Sequence, residues 1–285
     1  MQIGVALPTG VPGADGSRLI EFARRADRLG FHSLTVTDRV VYDSYDSIVA
    51  LAAAAGATER IELVTAILLA ATRPSNVELA KQLASLDRLS GGRLVVGVSS
   101  GMREDDYAAT GTDYHSRGRR LDEALVELQE IWAGKGPVPG VGPRPVNGTI
   151  PIWGGGHSAA GLRRAARHGI GWISPGGPPH KFSELVANFR TLWDEEGRTG
   201  APRMGANCYV ALGPNGAEEA KKHMLSYYAF MGQMAEHLAK GAVTEPEQLR
   251  AVVDLYEANG CDEIFLLSVT DDPDHLDRIA DVVLK

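Results

Sequence analysis

Residues 150–169 read IPIWGGGHSAAGLRRAARHG, an apolar run that ends in three glycines and passes through His157 and Ser158 into a helical pattern. Glycines let main-chain N–H groups approach a ligand closely, and the N-terminus of the helix that follows adds roughly half a positive charge. With Ser158 as the natural N-cap, Gly155, Gly156, His157 and Ser158 outline a cradle for a phosphate. A tight strand-to-helix turn accounts for one or two such glycines, but not for three followed by His-Ser. The next apolar run ends in SPGGPP (174–179), where Ser174 and Gly176 could close the other side of the same anion.

Other chemistry-bearing residues also follow apolar runs. Ser99, Ser100 and Gly101 form a bare strand end suited to lying under a planar ring, although plain packing explains them equally well. Asp38 and Arg39 are either a rim ion pair or an acid beside an anion-binding guanidinium. Arg103 to Asp106 reads as the polar start of a short helix with Tyr107 packing inward. His115, Arg117, Arg119 and Arg120 form a basic knot whose default role is capping and solvated charge, with His115 or Arg117 able to reach a ligand. Asp38, Arg39, Tyr42, Arg103 and His115 are the candidates for protonation or substrate contact. A metal centre is not expected, since His157, His168 and His180 lack ligand spacing and no HExxH or CxxC occurs. No nucleophile elbow is present, and GVALPTGVPG after the first strand does not supply GxGxxG.

These residues need a frame. Apolar runs at Ile3–Leu7, Ser33–Thr37, Ile61–Leu69, Arg93–Val98, Ile150–Trp153, Gly171–Ser174, Met204–Leu212 and Glu263–Ser268 alternate with helical patterns. The first, third, fourth and last are near-continuous, as expected of strands buried on both faces. Helices are expected at Ser17–Leu29, Pro74–Leu89, Arg119–Trp132, Ser158–His168, Lys181–Glu196, Ala217–Ala229, Glu245–Asn259 and His275–Leu284. Eight strand–helix units predict a (β/α)8 barrel, with a doubly wound open sheet as the alternative. Ligands then belong at the C-terminal strand ends. Two stretches break the rhythm: the glycine- and proline-rich Gly134–Gly148, expected as a surface insertion on the active-site side or a lid, and an extra helical segment at Tyr227–Gly241. No domain boundary is apparent.

The chain has 285 residues, 44% hydrophobic and 23% charged, enough for a full core. Its net charge of -7 argues against nucleic-acid binding. No apolar run reaches the roughly 18 residues of a membrane helix, and MQIGVALPTG enters a strand without a basic leader. A cytoplasmic protein is expected, with Cys208 and Cys261 as reduced core thiols.

The blocks GFHSLTVTDRV (30–40), TAILLAATRPSNVELAKQLASLDRLSGGRLVVGVSSG (65–101), RGRRLDE (117–123) and IPIWGGGHSAAGLRRAARHGIGW (150–172) resemble, in order and spacing, the luciferase-like flavin- and deazaflavin-dependent oxidoreductases. The resemblance covers essentially the whole chain. It implies a barrel with an isoalloxazine-type ring at the strand ends, propped by a non-prolyl cis peptide that by position joins Thr65 to Ala66. The phosphate arm would fall on Gly155–Ser158, helped by Ser174 and Gly176. Where many relatives carry a histidine after the aspartate of the second strand, this chain has Arg39, and a guanidinium is no practical general acid at neutral pH. Ser100 stands where bacterial luciferase has an arginine for the FMN phosphate. That difference, with the WGGGHS wording, favours F420 over FMN. The resemblance thus implies a reduced cofactor from a separate reductase, a small-molecule substrate, hydride transfer or monooxygenation, and a homodimer. A barrel that binds flavin without turnover is the alternative.

Overall fold

The computed structural model describes residues 1–284. Eight parallel strands close into a barrel in sequence order: β1 (Gln2–Ala6), β2 (Ser33–Val36), β3 (Glu62–Leu68), β4 (Leu94–Val98), β5 (Ile152–Gly155), β6 (Gly171–Ser174), β7 (Arg203–Val210) and β8 (Glu263–Ser268). The helices between them are α1 (Gly16–Leu29), α2 (Ser47–Ala55), α3 (Asn76–Leu89), α4 (Glu104–Thr110), α5 (Arg117–Trp132), α6 (Ala159–His168), α7 (Phe182–Glu195), α8 (Gly216–Tyr227), α9 (Gln233–Lys240), α10 (Pro246–Ala258) and α11 (Asp274–Val283). The architecture is the (β/α)8 barrel, and the open-sheet alternative falls because β1 pairs with β8, Val5 opposite Leu266.

Alternate strand residues fill the inside of the barrel, where Trp153 and Phe265 pack with ring centres 5.5 Å apart. Their bulk requires small neighbours. A Cβ on Gly205 would stand 2.5 Å from the Trp153 ring, and one on Gly4 would stand 2.9 Å from Phe265. The remaining strand residues meet the helices in the outer core. There Leu121, Leu125, Leu128 and Trp132 line one face of α5, as their helical spacing requires.

Local chemistry explains most element ends. Asp15 caps α1 by accepting from the Ser17 and Arg18 N–H groups, and Gly30 ends that helix with φ of 88°. Ser75 caps α3, so Pro74 precedes the helix instead of opening it. Helix α2 is absent from the expected set, because SIVALAAAA carries almost no polar face to give it a helical period.

The Gly134–Gly148 stretch is irregular, but it runs from the end of α5 to the start of β5. It therefore lies at the N-terminal end of the barrel. Asp87 at the end of α3 accepts from the Val146 N–H at 2.7 Å, and Lys81 donates to the Gly142 carbonyl at 3.1 Å. Expected on the active-site side, it is a surface insertion at the opposite end. The cover over the C-terminal end is the β7–α10 segment containing α8 and α9, pinned back to β7 by Val243 N–H to Tyr209 and Ala211 N–H to Val243.

The N-terminal end also brings His32, Glu62 and Glu263 together, with ligand-type atoms within 4.8 Å of one another. Arg203 already lies 2.8 Å from the buried Glu263 carboxylate, which also accepts from Ser33 Oγ at 2.5 Å. This cluster is read as part of the barrel floor.

Candidate active site

A cavity of about 950 Å³ opens at the C-terminal strand ends. Its floor and one wall are strand and turn residues: Ile67 of β3, Val98 of β4, Ser99–Gly101, Gly154–Ser158, and Asn207–Tyr209 of β7. The opposite wall comes from the covering segment and α10, with Met224, Tyr228, Met231, Met234, Val243, Val252 and Tyr256. Eight expected cofactor residues therefore line one cavity: Ser99, Ser100, Gly101, Gly155, Gly156, His157, Ser158 and Gly176.

Around the glycine turn, Ser158 caps α6 by accepting from the Gly161 N–H at 3.1 Å. The preceding amides of the first turn have no helical acceptor. Gly156 takes φ of 106°, and its carbonyl accepts from Trp172 Nε1 at 2.8 Å, which fixes the turn. A Cβ at Gly155 would overlap the Ile67 side chain, so the narrow floor itself demands glycine there. Burial lowers the His157 pKa, so its ring is the neutral form at pH 7. Positive charge on this side comes instead from the helix end, Arg117 and Arg164. Arg164 is committed to Asp122 at 2.5 Å. Arg117 stacks over Tyr114 at 4.0 Å and, among the described residues, has no carboxylate within 4.0 Å.

The cis bond joins Ala66 to Ile67, one residue beyond the expected Thr65–Ala66. It coincides with a slip in the β3–β4 pairing between Thr65 and Leu68. Thr65 is wholly buried, with its hydroxyl on the Gly97 carbonyl at 2.8 Å, and Ala66 packs inside the barrel. Neither side chain lines the cavity, whereas Ile67 does. Ser174 is buried behind its loop and accepts from the Gly176 N–H at 3.4 Å.

The residues singled out for protonation and substrate contact lie elsewhere. Asp38 accepts from Ser47 Oγ at 3.0 Å, Leu69 N–H at 2.9 Å and Arg73 at 3.0 Å, tying β2 to the loop after β3. Arg39 donates to the Tyr227 and Val41 carbonyls and lies over the Tyr227 ring. Tyr42 shares a hydrogen bond with Ser226 at 2.8 Å. Arg103 pairs with Asp105 and lies 4.5 Å from the Phe230 ring centre. Together Arg39, Tyr42 and Arg103 clamp the cover onto the barrel, and none of them lines the cavity. His115 is exposed and also lies off the cavity wall.

Sequence reading missed the β7 contribution. Asn207 has a buried side-chain oxygen without a hydrogen-bond partner. Cys208 packs against the outer core, as expected, and also lines the cavity; burial pushes its thiol up to about 12, and both cysteines are free. Tyr209 and Tyr228 hydrogen-bond to each other at 3.0 Å. The available signal was polar residues recurring late in an otherwise apolar strand.

An orphaned amide oxygen, a wall of glycine and serine, and an uncompensated helix N-terminus fit a flat heteroaromatic ring with an anionic tail. Among the described residues no helix is long and apolar enough to cross a membrane.

Comparison with known proteins gives a fold and a family. The chain is 30% identical over 212 residues to the uncharacterized protein Rv0940c of Mycobacterium tuberculosis (strain ATCC 25618 / H37Rv), covering 63% of this chain and 73% of that protein. Its fold superposes on monooxygenase RslO1 from Streptomyces bottropensis with a TM-score of 0.81 at 22% identity, over 100% of this chain and 99% of the other. An F420-dependent secondary alcohol dehydrogenase, solved with an F420–acetone adduct, gives 0.83 at 17% identity, again over 100% and 99%. The family model for luciferase-like monooxygenases matches residues 1–283, and the chain belongs to that family.

Proposed function

We propose that this chain is an oxidoreductase that holds a reduced flavin-type cofactor in the cavity, F420H2 in preference to FMNH2, and acts on a small organic substrate beside it. The observation that carries the reading is one cavity joining the Gly155–Ser158 turn at the N-terminus of α6 to a bare wall of Ser99–Gly101. The preference for F420 rests on Ser100, which stands where the resemblance implies an arginine for an FMN phosphate, and on the similarity to an F420-dependent dehydrogenase.

The cofactor supplies the redox chemistry, as hydride donor or acceptor if it is F420 and through oxygen if it is FMN. The chain's own groups bind and orient. Ser158, the first amides of α6 and Arg117 would hold the anionic tail. Ile67 and Gly155 would support the ring, and Asn207 would offer its free oxygen to a ring N–H. The α8–α9 cover would exclude water from the ring. The proposal includes a separate reductase as cofactor source and a homodimer, on the family's pattern.

A non-catalytic flavin-binding barrel is the second reading. It is favoured by Arg39, which stands at the family's histidine position and is committed to the cover clamp. Anaerobic titration with F420H2 and FMNH2, followed by oxygen or candidate acceptors, separates the readings. Binding with reoxidation supports the oxidoreductase, binding without it supports the binder, and no binding of either cofactor overturns both.

A further inference from the structure

Tyr209 lies near the end of β7 and Tyr228 directly follows α8, so one phenol belongs to the barrel and the other to the cover. Their hydroxyl oxygens are 3.0 Å apart and their rings are nearly perpendicular, with centres 6.1 Å apart. Each phenol brings one hydrogen. A bond between the two uses only one of them, and among the described residues neither hydroxyl has a second protein partner. The pair therefore keeps one unspent O–H. Both residues line the cavity, so a ligand there lies beside the pair, and the hydroxyl hydrogen is free to rotate toward it.

The surroundings narrow what it can meet. Met224, Met231, Leu238, Val243 and Val252 give the covering side of the cavity a mainly apolar lining, with His237 of α9 among them. The two arginines on the cavity wall come from α5 and α6, beside the glycine turn. The cation that acts on both phenols, Arg39, is committed to Asp106 and to the Tyr227 and Val41 carbonyls and lies off the cavity wall. An apolar body with one neutral acceptor oxygen therefore suits the walls and the spare donor better than an anion does. Burial raises the pKa of each phenol, so the donor persists across the physiological range.

We propose that the Tyr209–Tyr228 pair is the specificity element of this site, seating the carbonyl oxygen of an apolar ketone or aldehyde against the covering segment. The inference deepens the oxidoreductase reading by naming its substrate class, and it rests on that reading only for the ligand being a substrate.

The test uses the full-length chain without added cofactor, with 1-tetralone and its hydrocarbon analogue tetralin as probes. Equilibrium dialysis compares the wild type, Tyr209→Phe, Tyr228→Phe and the double variant. The wild type should prefer the ketone by about tenfold, the worth of one good hydrogen bond. Each single variant keeps one phenol and part of the preference. The double variant should bind both probes equally, with tetralin affinity unchanged as evidence of an intact cavity. Infrared difference spectra of 1-tetralone on the wild type give a second readout, in which the bound carbonyl stretch moves below its position in hydrocarbon solvent. Equal affinity of the wild type for both probes, full preference in the double variant, or an unshifted carbonyl band would overturn the proposal. If the double variant loses tetralin as well, the infrared band on the wild type decides. Because no cofactor is present, these outcomes are independent of the reduced-cofactor titration.

Discussion

The guanidinium carbon of Arg39 lies 4.7 Å from the centre of the Tyr227 ring, and the same group donates to the Tyr227 carbonyl at 2.9 Å. One side chain thus grips both the ring and the main chain at the end of α8. Asp106, whose carboxylate lies 3.8 Å from Arg39, accepts from the Val40 and Val41 N–H groups and holds the other side of the grip. Arg39→Ala should destabilise the fold by about 2–3 kcal/mol, combining lost hydrogen bonds, a lost cation–π contact and a weakened buried ion pair. It should also open residues 211–243 to limited proteolysis. Arg39→Lys should not restore protection, because an ammonium cannot span these contacts as a planar fork does. Unchanged urea midpoint and cleavage rate in Arg39→Ala would remove the clamp from the account.

Arg117 is the cation left for an anionic tail, since Arg164 is committed to Asp122. Arg117→Ala should weaken reduced-cofactor binding by about tenfold, within the range of a charge-assisted hydrogen bond. It should also flatten the salt dependence of binding, while 1-tetralone affinity stays the same. Fluorescence titration at two ionic strengths checks both. An unchanged dissociation constant would place the tail elsewhere.

His275 is fully buried. Its Nε2 accepts from the Leu212 N–H at 2.8 Å, so Nδ1 carries the proton and donates to Ser268 Oγ at 2.8 Å. Burial pushes the pKa down to about 4 from the ordinary 6.5. The folded state thus favours neutral imidazole, and the stabilisation is complete above pH 6.5 and lost as pH falls toward 4, up to about 3 kcal/mol. Urea unfolding of wild type and His275→Gln across that window should show a steeper loss in the wild type, by one proton. Parallel profiles would contradict the assignment.

Shortening the Gly134–Gly148 stretch should leave reduced-cofactor affinity unaltered, because that segment sits at the far end of the barrel. Loss of binding without loss of fold would show that it reaches the site after all.

The barrel was legible because strands buried on both faces read as unbroken apolar runs, and because βα alternation leaves few other closures. The glycine turn was legible too, since glycines and an N-cap are local signals. What escaped were partnerships across the chain. Arg39 and Tyr227 lie far apart in sequence, so rim chemistry and a structural clamp look alike until the fold joins them. The misplaced lid is a different case. A segment after a helix and before a strand falls at the N-terminal end of a barrel, and element order alone contained that answer. Asn207 and Tyr209 escaped despite their polar side chains, because side-chain alternation reads the same whether a strand face meets a cavity or a core.

The account depends on an anionic tail held at the start of α6 beneath a cover that shields the ring. A crystal structure of the chain soaked with F420H2 under anaerobic conditions tests this directly. The tail phosphate should lie within hydrogen-bonding distance of Ser158 and the first amides of α6, with the ring against Ile67. A tail docked elsewhere, or a cavity that takes up no cofactor, would contradict it.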